Sequence, residues 1–253
     1  MKKTFFYLLT DKELKKWLTQ KRAEWNKNAN FWIKIIREKL DPFRLIVTNK
    51  AILEPFLKEK GWKVLDAGCG EGYLCRALAK LKHKPYGIDL SSKLIEAAKR
   101  LEEKEKLGIK YFLGDFRKTP FPKNFFNAIL SHHTINEIPN PEQAFKEFNR
   151  ILKKKGKLVL LFLHPCFEIE PKNYFRKVKI KKSYYLVSGI KSPAPYFYLH
   201  LPLSQWITTL RKNGFSIIEI REPHPPLSLI EKDKWWKENF QKPLFILIEA
   251  TKI

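Results

Sequence analysis

The hydrophobic pattern changes period near residue 61. Ahead of that point Leu14, Trp17, Leu18 and Trp25 share one helical face, and apolar residues three and four apart predict an amphipathic helix. Asp11 is placed to cap it, and Asp41-Pro42 reads as a cap followed by proline in the first turn. Leu45, Ile46, Ile52, Leu53, Phe56 and Leu57 carry the helical spacing on through 43–60. Residues 1–60 therefore read as a helical extension.

From residue 63 short apolar runs alternate with helical stretches. The predicted strands are 64–66, 85–89, 110–113, 126–130 and 157–163. The predicted helices between them are 73–81, a segment capped by Ser91 or Ser92 and running to about 107, and one that starts at Asn140-Pro141-Glu142 and ends near 152. Such alternation means a parallel sheet with helices on both faces. The wholly apolar run at 157–163 suits the middle of that sheet. The order then breaks. Residues 164–203 hold Pro165, Pro171, Pro193, Pro195 and Pro202 with no convincing helix, and read as an insertion after the fifth strand. A helix at 204–213 stopped by Gly214, and strands at 215–220 and 245–249, complete a seven-stranded α/β domain spanning 61–253.

Composition narrows the class. With 44% hydrophobic and 14% aromatic residues among 253, the chain can fill a sizeable core. No apolar run approaches the ~18 residues of a membrane span. The apolar start at Phe5 to Leu9 is too short for a secretory signal and is ended by Asp11, Lys12 and Glu13. Cys69, Cys75 and Cys166 form neither a disulfide framework nor a metal-ligand pattern, which fits a reducing, cytoplasmic setting and no metal. The net charge of +24 has two readings. It could draw a nucleic acid. But 40 of the 50 basic residues are Lys, spread along the whole chain, and phosphate recognition favours the bidentate fork of Arg. A solvated surface is the simpler account.

The chemistry lies at the end of the first predicted strand, in Val64-Leu65-Asp66-Ala67-Gly68-Cys69-Gly70-Glu71-Gly72. Glycines after a strand let a ligand approach the backbone, and the following helix presents free N–H groups. The dinucleotide fingerprint would be G-x-G-x-x-G. Here a carboxylate, Asp66, precedes the turn; it would repel a pyrophosphate and suits a ligand with an ammonium group.

This run resembles motif I of the class I S-adenosylmethionine-dependent methyltransferases. Gly87-Ile88-Asp89-Leu90-Ser91 is similar to their second motif, and Gly114-Asp115-Phe116 to their third. Asn127-Ala128-Ile129-Leu130-Ser131-His132-His133 resembles their fourth strand and its exit. Residues 148–158 resemble the helix, turn and fifth strand of the small-molecule and ubiquinone-biosynthesis-like branch. The turn there is Lys154-Lys155-Gly156 instead of the usual Pro-Gly-Gly, and Asn136 stands where relatives often have His. Asp41-Pro42-Phe43-Arg44 is similar to an Arg-bearing segment of the ubiquinone-type relatives.

The resemblance implies a Rossmann-like fold, S-adenosyl-L-methionine as cofactor, and a set of cofactor contacts. Asp66, Ala67, Gly68, Cys69 and Gly70 would line the amino-acid end, where Arg44 would pair with the carboxylate. Asp89 would hold the ribose hydroxyls with Leu90 beside it. Asp115 would meet the adenine amino group, Phe116 would flank the ring, and Ser131 would close the fourth-strand side. Asp89 and Asp115 taken singly could be a helix cap and a turn residue.

Four of the six histidines fall where such a fold places the methyl acceptor: His132, His133, His164 and His200. His133 and His164 lead as catalytic bases, since both follow strand ends. Cys166, in a Pro-Cys just after the fifth strand, resembles the nucleophile of RNA cytosine-C5 methyltransferases, but those enzymes carry Thr-Cys there and a second Pro-Cys after the fourth strand, where this chain has Ser131-His132-His133. Lys177, Lys179 and Lys181 alternate with Val178 and Ile180, a strand with one basic face flanked by Tyr174, Phe175, Tyr184 and Tyr185. That strand is either a lid over an anionic or aromatic acceptor or a lysine-protected edge. The expected activity is methyl transfer to a small molecule. Methylation of RNA, and cofactor binding without transfer, stay open as alternatives.

Overall fold

The computed structural model describes residues 11–167, 169–176, 178–184 and 189–253. The stretch 1–10, Lys177 and Tyr185 lie outside the described residues, as do the side chains of Asp11 and Leu14, so the signal-peptide exclusion and the Asp11 cap have no structural counterpart here.

The chain opens with α1 (Asp11–Arg37). A π-helical turn (Phe43–Thr48), α2 (Asn49–Leu53) and a 3-10 turn (Glu54–Phe56) follow. Asp41 starts this segment by accepting the backbone N–H of Arg44 at 3.2 Å. Then come β1 (Lys63–Ala67), α3 (Tyr73–Lys80), β2 (Lys84–Asp89), α4 (Ser92–Glu105), β3 (Lys110–Leu113), β4 (Phe126–His132), α5 (Pro141–Ile151) and β5 (Leu152–Leu163). The two caps read from sequence are in place: Ser91 accepts the N–H of Leu94, and Asn140 that of Glu142. After β5 the order is β6 (Val178–Lys182), β7 (Tyr196–His200), α6 (Leu203–Lys212), β8 (Phe215–Arg221), α7 (Leu227–Lys232), α8 (Lys234–Asn239) and β9 (Phe245–Lys252).

Seven strands form one sheet in the order β3-β2-β1-β4-β5-β9-β8. All pairs are parallel except those of β9, which runs antiparallel between β5 and β8. This is a Rossmann-like α/β architecture. One sheet face buries Phe145, Phe148 and Trp206 from α5 and α6; the other buries Ile52, Leu74, Leu78 and Trp236 from α2, α3 and α8. The long apolar run of β5 is accounted for by this two-sided burial. Strand order reverses between β1 and β4, and open α/β sheets bind ligands at the carboxyl ends of their strands at such a switch point.

Two features differ from the sequence reading. The insertion folds as an antiparallel pair, with Val178 opposite His200 and Lys182 opposite Tyr196. Of these strands the basic β6 was expected and β7 was not. Residues 221–244, for which the sequence pattern predicts no element, hold α7 and α8. Those helices are six residues each, too short for a periodic signal.

Candidate functional site

Three glycines make the turn between β1 and α3. Gly68, Gly70 and Gly72 all have positive φ, at 88°, 55° and 85°. A Cβ at Gly68 would overlap the side chain of Thr134, and one at Gly72 would overlap the Tyr111 ring. A Cβ at Gly70 would meet nothing within 4 Å. Gly68 and Gly72 are thus fixed by packing, whereas Gly70 leaves open space over the turn.

That space belongs to a cavity of about 380 Å³ at the β1–β4 switch point, within the range of about 300–1,000 Å³ usual for small-molecule sites. Of the residues singled out from sequence, Arg44, Asp66, Gly68, Cys69, Gly70, Asp89, Leu90, Phe116 and His133 line it. Four others do not. Ala67 and Ser131 tie the strand ends together, the Ser131 hydroxyl donating to the Ala67 carbonyl at 3.0 Å. Asp115 is gripped by Arg117 through Nη2 at 2.7 Å and Nε at 3.0 Å, and Arg117 in turn stacks on Trp17. His164 sits apart. Its Nδ1 accepts the Cys166 N–H at 3.1 Å and faces the thiol at 2.8 Å, while Nε2 lies 3.1 Å from Glu222.

The wall near the glycine turn is acidic and dry. Asp66 is buried, and burial pushes its carboxyl up to about 7. The sole hydrogen bond to its side chain among the described residues is a weak one from the Cys75 thiol at 3.6 Å. Asp89 takes the Gly70 N–H at 2.9 Å on one oxygen and the Ser91 N–H at 2.8 Å on the other. Glu71 is neutralised within the protein by Arg76 and by Arg37 at 3.1 Å. The Cys69 thiol packs with Cys75 and Tyr111, so this residue can offer a ligand only its main chain.

Arg44 organises the next part of the wall. Its Nε pairs with Asp41 at 3.0 Å, and Nη1 donates to the Tyr73 hydroxyl at 2.8 Å and to His132 Nδ1 at 3.2 Å. A guanidinium only donates. His132 Nδ1, met also by the Tyr73 hydroxyl, must therefore be the bare nitrogen. Burial, with His133 and Arg44 adding to it, holds the ring's pKa well below its usual value, so His132 is neutral with its one proton on Nε2. That Nε2 is buried and has no partner among the described residues.

His133 follows in the left-handed region, φ 56°. In a regular strand consecutive side chains face opposite ways. The kink lets His132 and His133 face one cavity, their rings 4.1 Å apart. Burial, then Arg44, pushes the pKa of His133 well down too.

The far wall comes from α1, the 3-10 turn Ile135–Glu137 and the insertion. Lys21 and Glu137 are both buried and 3.3 Å apart. Trp25 Nε1 donates to the same Glu137 oxygen at 3.0 Å, and Lys21 also donates to the Phe197 carbonyl of β7 at 2.7 Å. Asn136 is buried, and its Oδ1 has no partner among the described residues. Tyr184 packs against Trp32, ring centroids 4.7 Å apart and planes tilted by 50°, and hydrogen-bonds to Asp41. Asn28 clamps Ala194 through both backbone groups, at 2.8 and 3.0 Å.

Lys21, Tyr73 and Glu137 were not legible as site residues in the sequence. The inward face of α1 runs Trp17, Lys21, Trp25, Asn28, Trp32, at spacings of four, four, three and four. A reading by hydrophobicity assigns Lys21 and Asn28 to solvent. The regular spacing of the tryptophans around them is the signal that could have placed them inside.

A family model described as a methyltransferase domain matches residues 65–160. A ubiquinone biosynthesis O-methyltransferase of Coxiella burnetii is 33% identical over 131 residues, 51% of this chain and 56% of that protein. The chain thus spans little more than half the length of that relative. A demethylmenaquinone methyltransferase of Thermotoga maritima is 30% identical over 186 residues, 67% of this chain and 76% of that protein. Among solved structures, an S-adenosylmethionine-dependent methyltransferase from Mesorhizobium loti superposes with a TM-score of 0.65 at 20% identity, over 80% of this chain and 96% of the other.

Proposed function

This chain belongs to the S-adenosylmethionine-dependent methyltransferases, and we propose that it moves a methyl group from S-adenosyl-L-methionine to a small-molecule acceptor held in the same cavity. The observation that carries the proposal is the meeting of the Gly68–Gly72 turn, Asp66 and Asp89 in one largely apolar cavity that Trp17, Trp25, Trp32 and Tyr184 also line.

The donor set fits the cofactor. Asp66 is a buried carboxylate with no cation in contact among the described residues, and a ligand ammonium would complete it. Asp89 ends β2 with its carboxylate oriented by two backbone N–H groups, ready to accept from a ribose diol. Leu90 and Phe116 offer apolar faces to a purine. Arg44 is buried and cationic, and a ligand carboxylate could share it with Asp41. Gly70 leaves room for the ligand's approach. When bound, the cofactor supplies an electrophilic methyl group on a sulfonium.

The protein's own contribution is position and exclusion of water. Trp25, Trp32, Tyr184 and Tyr196 close the side away from the sheet, and the Asn28–Ala194 clamp holds that cover shut. His133 has a neutral imidazole in the cavity wall. His164 is committed to Glu222 and Cys166 outside it, and in this account it supports the insertion. Asp115 likewise supports the adenine side through Arg117 and Trp17.

Methylation of RNA gains no specific support. The exposed Lys179 and Lys181 lie over the ring of Phe197, 4.3 and 5.7 Å from its centroid, and cover an aromatic face. No helix among the described residues is long and apolar enough to cross a membrane.

Thermal unfolding with S-adenosylhomocysteine tests the reading. At a hundred times its Kd a ligand adds about 2.7 kcal/mol, a rise of about 5–10 °C in Tm for a chain of this size. Labelled methyl from the cofactor should then appear in members of a small-molecule panel. An unmoved Tm, or label found in tRNA alone, would refute it.

A further inference from the structure

Among the titratable side chains that line the cavity, His132, His133 and Glu137 are the candidates to take a proton from an acceptor. His132 cannot accept a proton from a ligand. Its Nδ1 is taken up by Arg44 and Tyr73, and its Nε2 already carries the ring's one hydrogen. His133 can, but a base whose conjugate acid is strong has little driving force near neutral pH.

Glu137 differs from both. Trp25 and Lys21 bind one oxygen, Oε2, and fix the carboxylate in place. Oε1 makes no hydrogen bond among the described residues, and Glu137 is one of the residues that line the cavity. On the same turn, the Oδ1 of the 95%-buried Asn136 is a second acceptor without a donor among the described residues. The turn is held close to the glycine loop: Glu137 N–H donates to the Thr134 carbonyl at 2.9 Å, and Thr134 packs on Gly68. Two consecutive residues of the cavity lining thus carry acceptor oxygens with no donor among the described residues, which calls for a ligand that brings hydrogens.

We infer that the turn Ile135–Glu137 is the subsite for an acceptor bearing an O–H or N–H group, and that Glu137 Oε1 takes the proton from that group. The O–H or N–H bond breaks, its electron pair stays on the heteroatom, and the proton goes to the carboxylate. Asn136 Oδ1 accepts a second hydrogen of the ligand, and His132 Nε2–H donates to an oxygen nearby. Lys21 is a positioning residue, which keeps the carboxylate ionised. The inference rests on the methyltransferase reading and adds to it that the nucleophile is a heteroatom, not a carbon.

Burial raises the Glu137 carboxyl to about 7, against the lowering effect of Lys21 and of the Trp25 hydrogen bond. The charged and titratable groups around it are Lys21 and Glu24 on α1, His132 and His133 before the turn, and Tyr196 and His200 on β7. A base of that strength suits work near pH 7.

The test uses the full chain saturated with S-adenosylhomocysteine, and 4-nitrophenol, 4-nitrocatechol and 4-nitroaniline as probes, with binding read by absorbance. The wild type should bind at least one probe, and 4-nitroaniline, which does not itself ionise in this range, should bind more tightly as pH rises through about 7. Glu137→Gln should weaken that binding about tenfold or more while leaving affinity for S-adenosylhomocysteine within twofold. Lys21→Met should move the pH midpoint upward, since removal of a positive charge favours the protonated acid, a shift that loss of packing alone would not produce. Should Glu137→Gln fold poorly, the double variant Lys21→Met/Glu137→Gln removes both charges together and should lose probe binding and its pH dependence alike. Unchanged probe affinity in the Gln variants overturns the inference, as does a midpoint well below 6.5, which would assign the proton to His133. Failure of the wild type to bind any probe while it binds S-adenosylhomocysteine also overturns it. Failure to bind S-adenosylhomocysteine would instead overturn the methyltransferase reading.

Discussion

The two ends of the cavity are built in opposite ways. At the glycine turn the polar groups are held mostly by neighbours in the chain or by the next strand, Asp89 by Gly70 and Ser91 and Glu71 by Arg76, with Arg37 of α1 as a more distant partner of Glu71. At the acceptor end they are held across great sequence distances. Lys21 reaches Glu137 and Phe197, 116 and 176 residues away, and Asn28 reaches Ala194, 166 residues away. The first end is a preformed cradle of backbone and carboxylate. The second exists only once α1, the turn Ile135–Glu137 and the insertion have closed on one another. A common cofactor suits a cradle fixed by local geometry, and a particular acceptor suits a wall assembled from the variable parts of the fold.

The sharpest way to break the comparison is Lys21→Met. It leaves Glu137 buried without its cation, at a cost of about 3–5 kcal/mol at pH 8. The folded-state carboxyl of Glu137 lies above its unfolded value, so its penalty grows as pH rises from the unfolded pKa to the folded one. Loss of Lys21 raises the folded value further. The deficit should therefore shrink from pH 8 towards pH 5, as read by urea unfolding at both. An equal deficit at both would show that charge is not the cause.

The cradle end predicts a contrast within one loop. Gly72→Ala must force a side chain against Tyr111 at φ 85° and should cost about 3 kcal/mol. Gly70→Ala meets no atom and should cost about 1 kcal/mol, yet weaken S-adenosylhomocysteine binding at least tenfold by filling the open space. Equal stability losses would mean that Gly70 is also a packing residue. At the acceptor end Asn28→Ala removes two hydrogen bonds to Ala194, a loss of about 1–3 kcal/mol. It should speed proteolytic cleavage within 183–195 before global unfolding; unchanged cleavage would separate the clamp from the cover. The smallest effect belongs to His164→Ala, which should cost about 1 kcal/mol and leave S-adenosylhomocysteine affinity as it was. A weakened affinity would bring His164 back into the site.

The same contrast explains what could be read in the sequence. Asp66, the glycines and Asp89 are legible because their function is set by positions a few residues apart on a strand-turn-helix. The capped helices α4 and α5 and the apolar β5 are legible for that reason too. Asp115 shows where local likeness stops: the motif places it correctly after β3, but Arg117, two residues on, engages its carboxylate. Lys21 and Glu137 are polar residues whose burial depends on each other, and neither carries a mark of it alone. His132 and His133 were visible as candidates, but their roles depend on Arg44 and Tyr73, which arrive from other elements. The short α7 and α8 lack the length to show a period.

The central claim is that Asp66 waits, buried, for a ligand ammonium. Calorimetric titration of S-adenosylhomocysteine into the wild type and Asp66→Asn between pH 6 and 8 tests it most directly. Asp66 must ionise to meet the ammonium, so wild-type affinity should strengthen as pH rises through about 7 and then level. Asp66→Asn should bind a hundredfold or more weaker, about 2.7 kcal/mol, with that pH dependence gone. Binding within threefold of the wild type, with the pH dependence intact, would contradict the account.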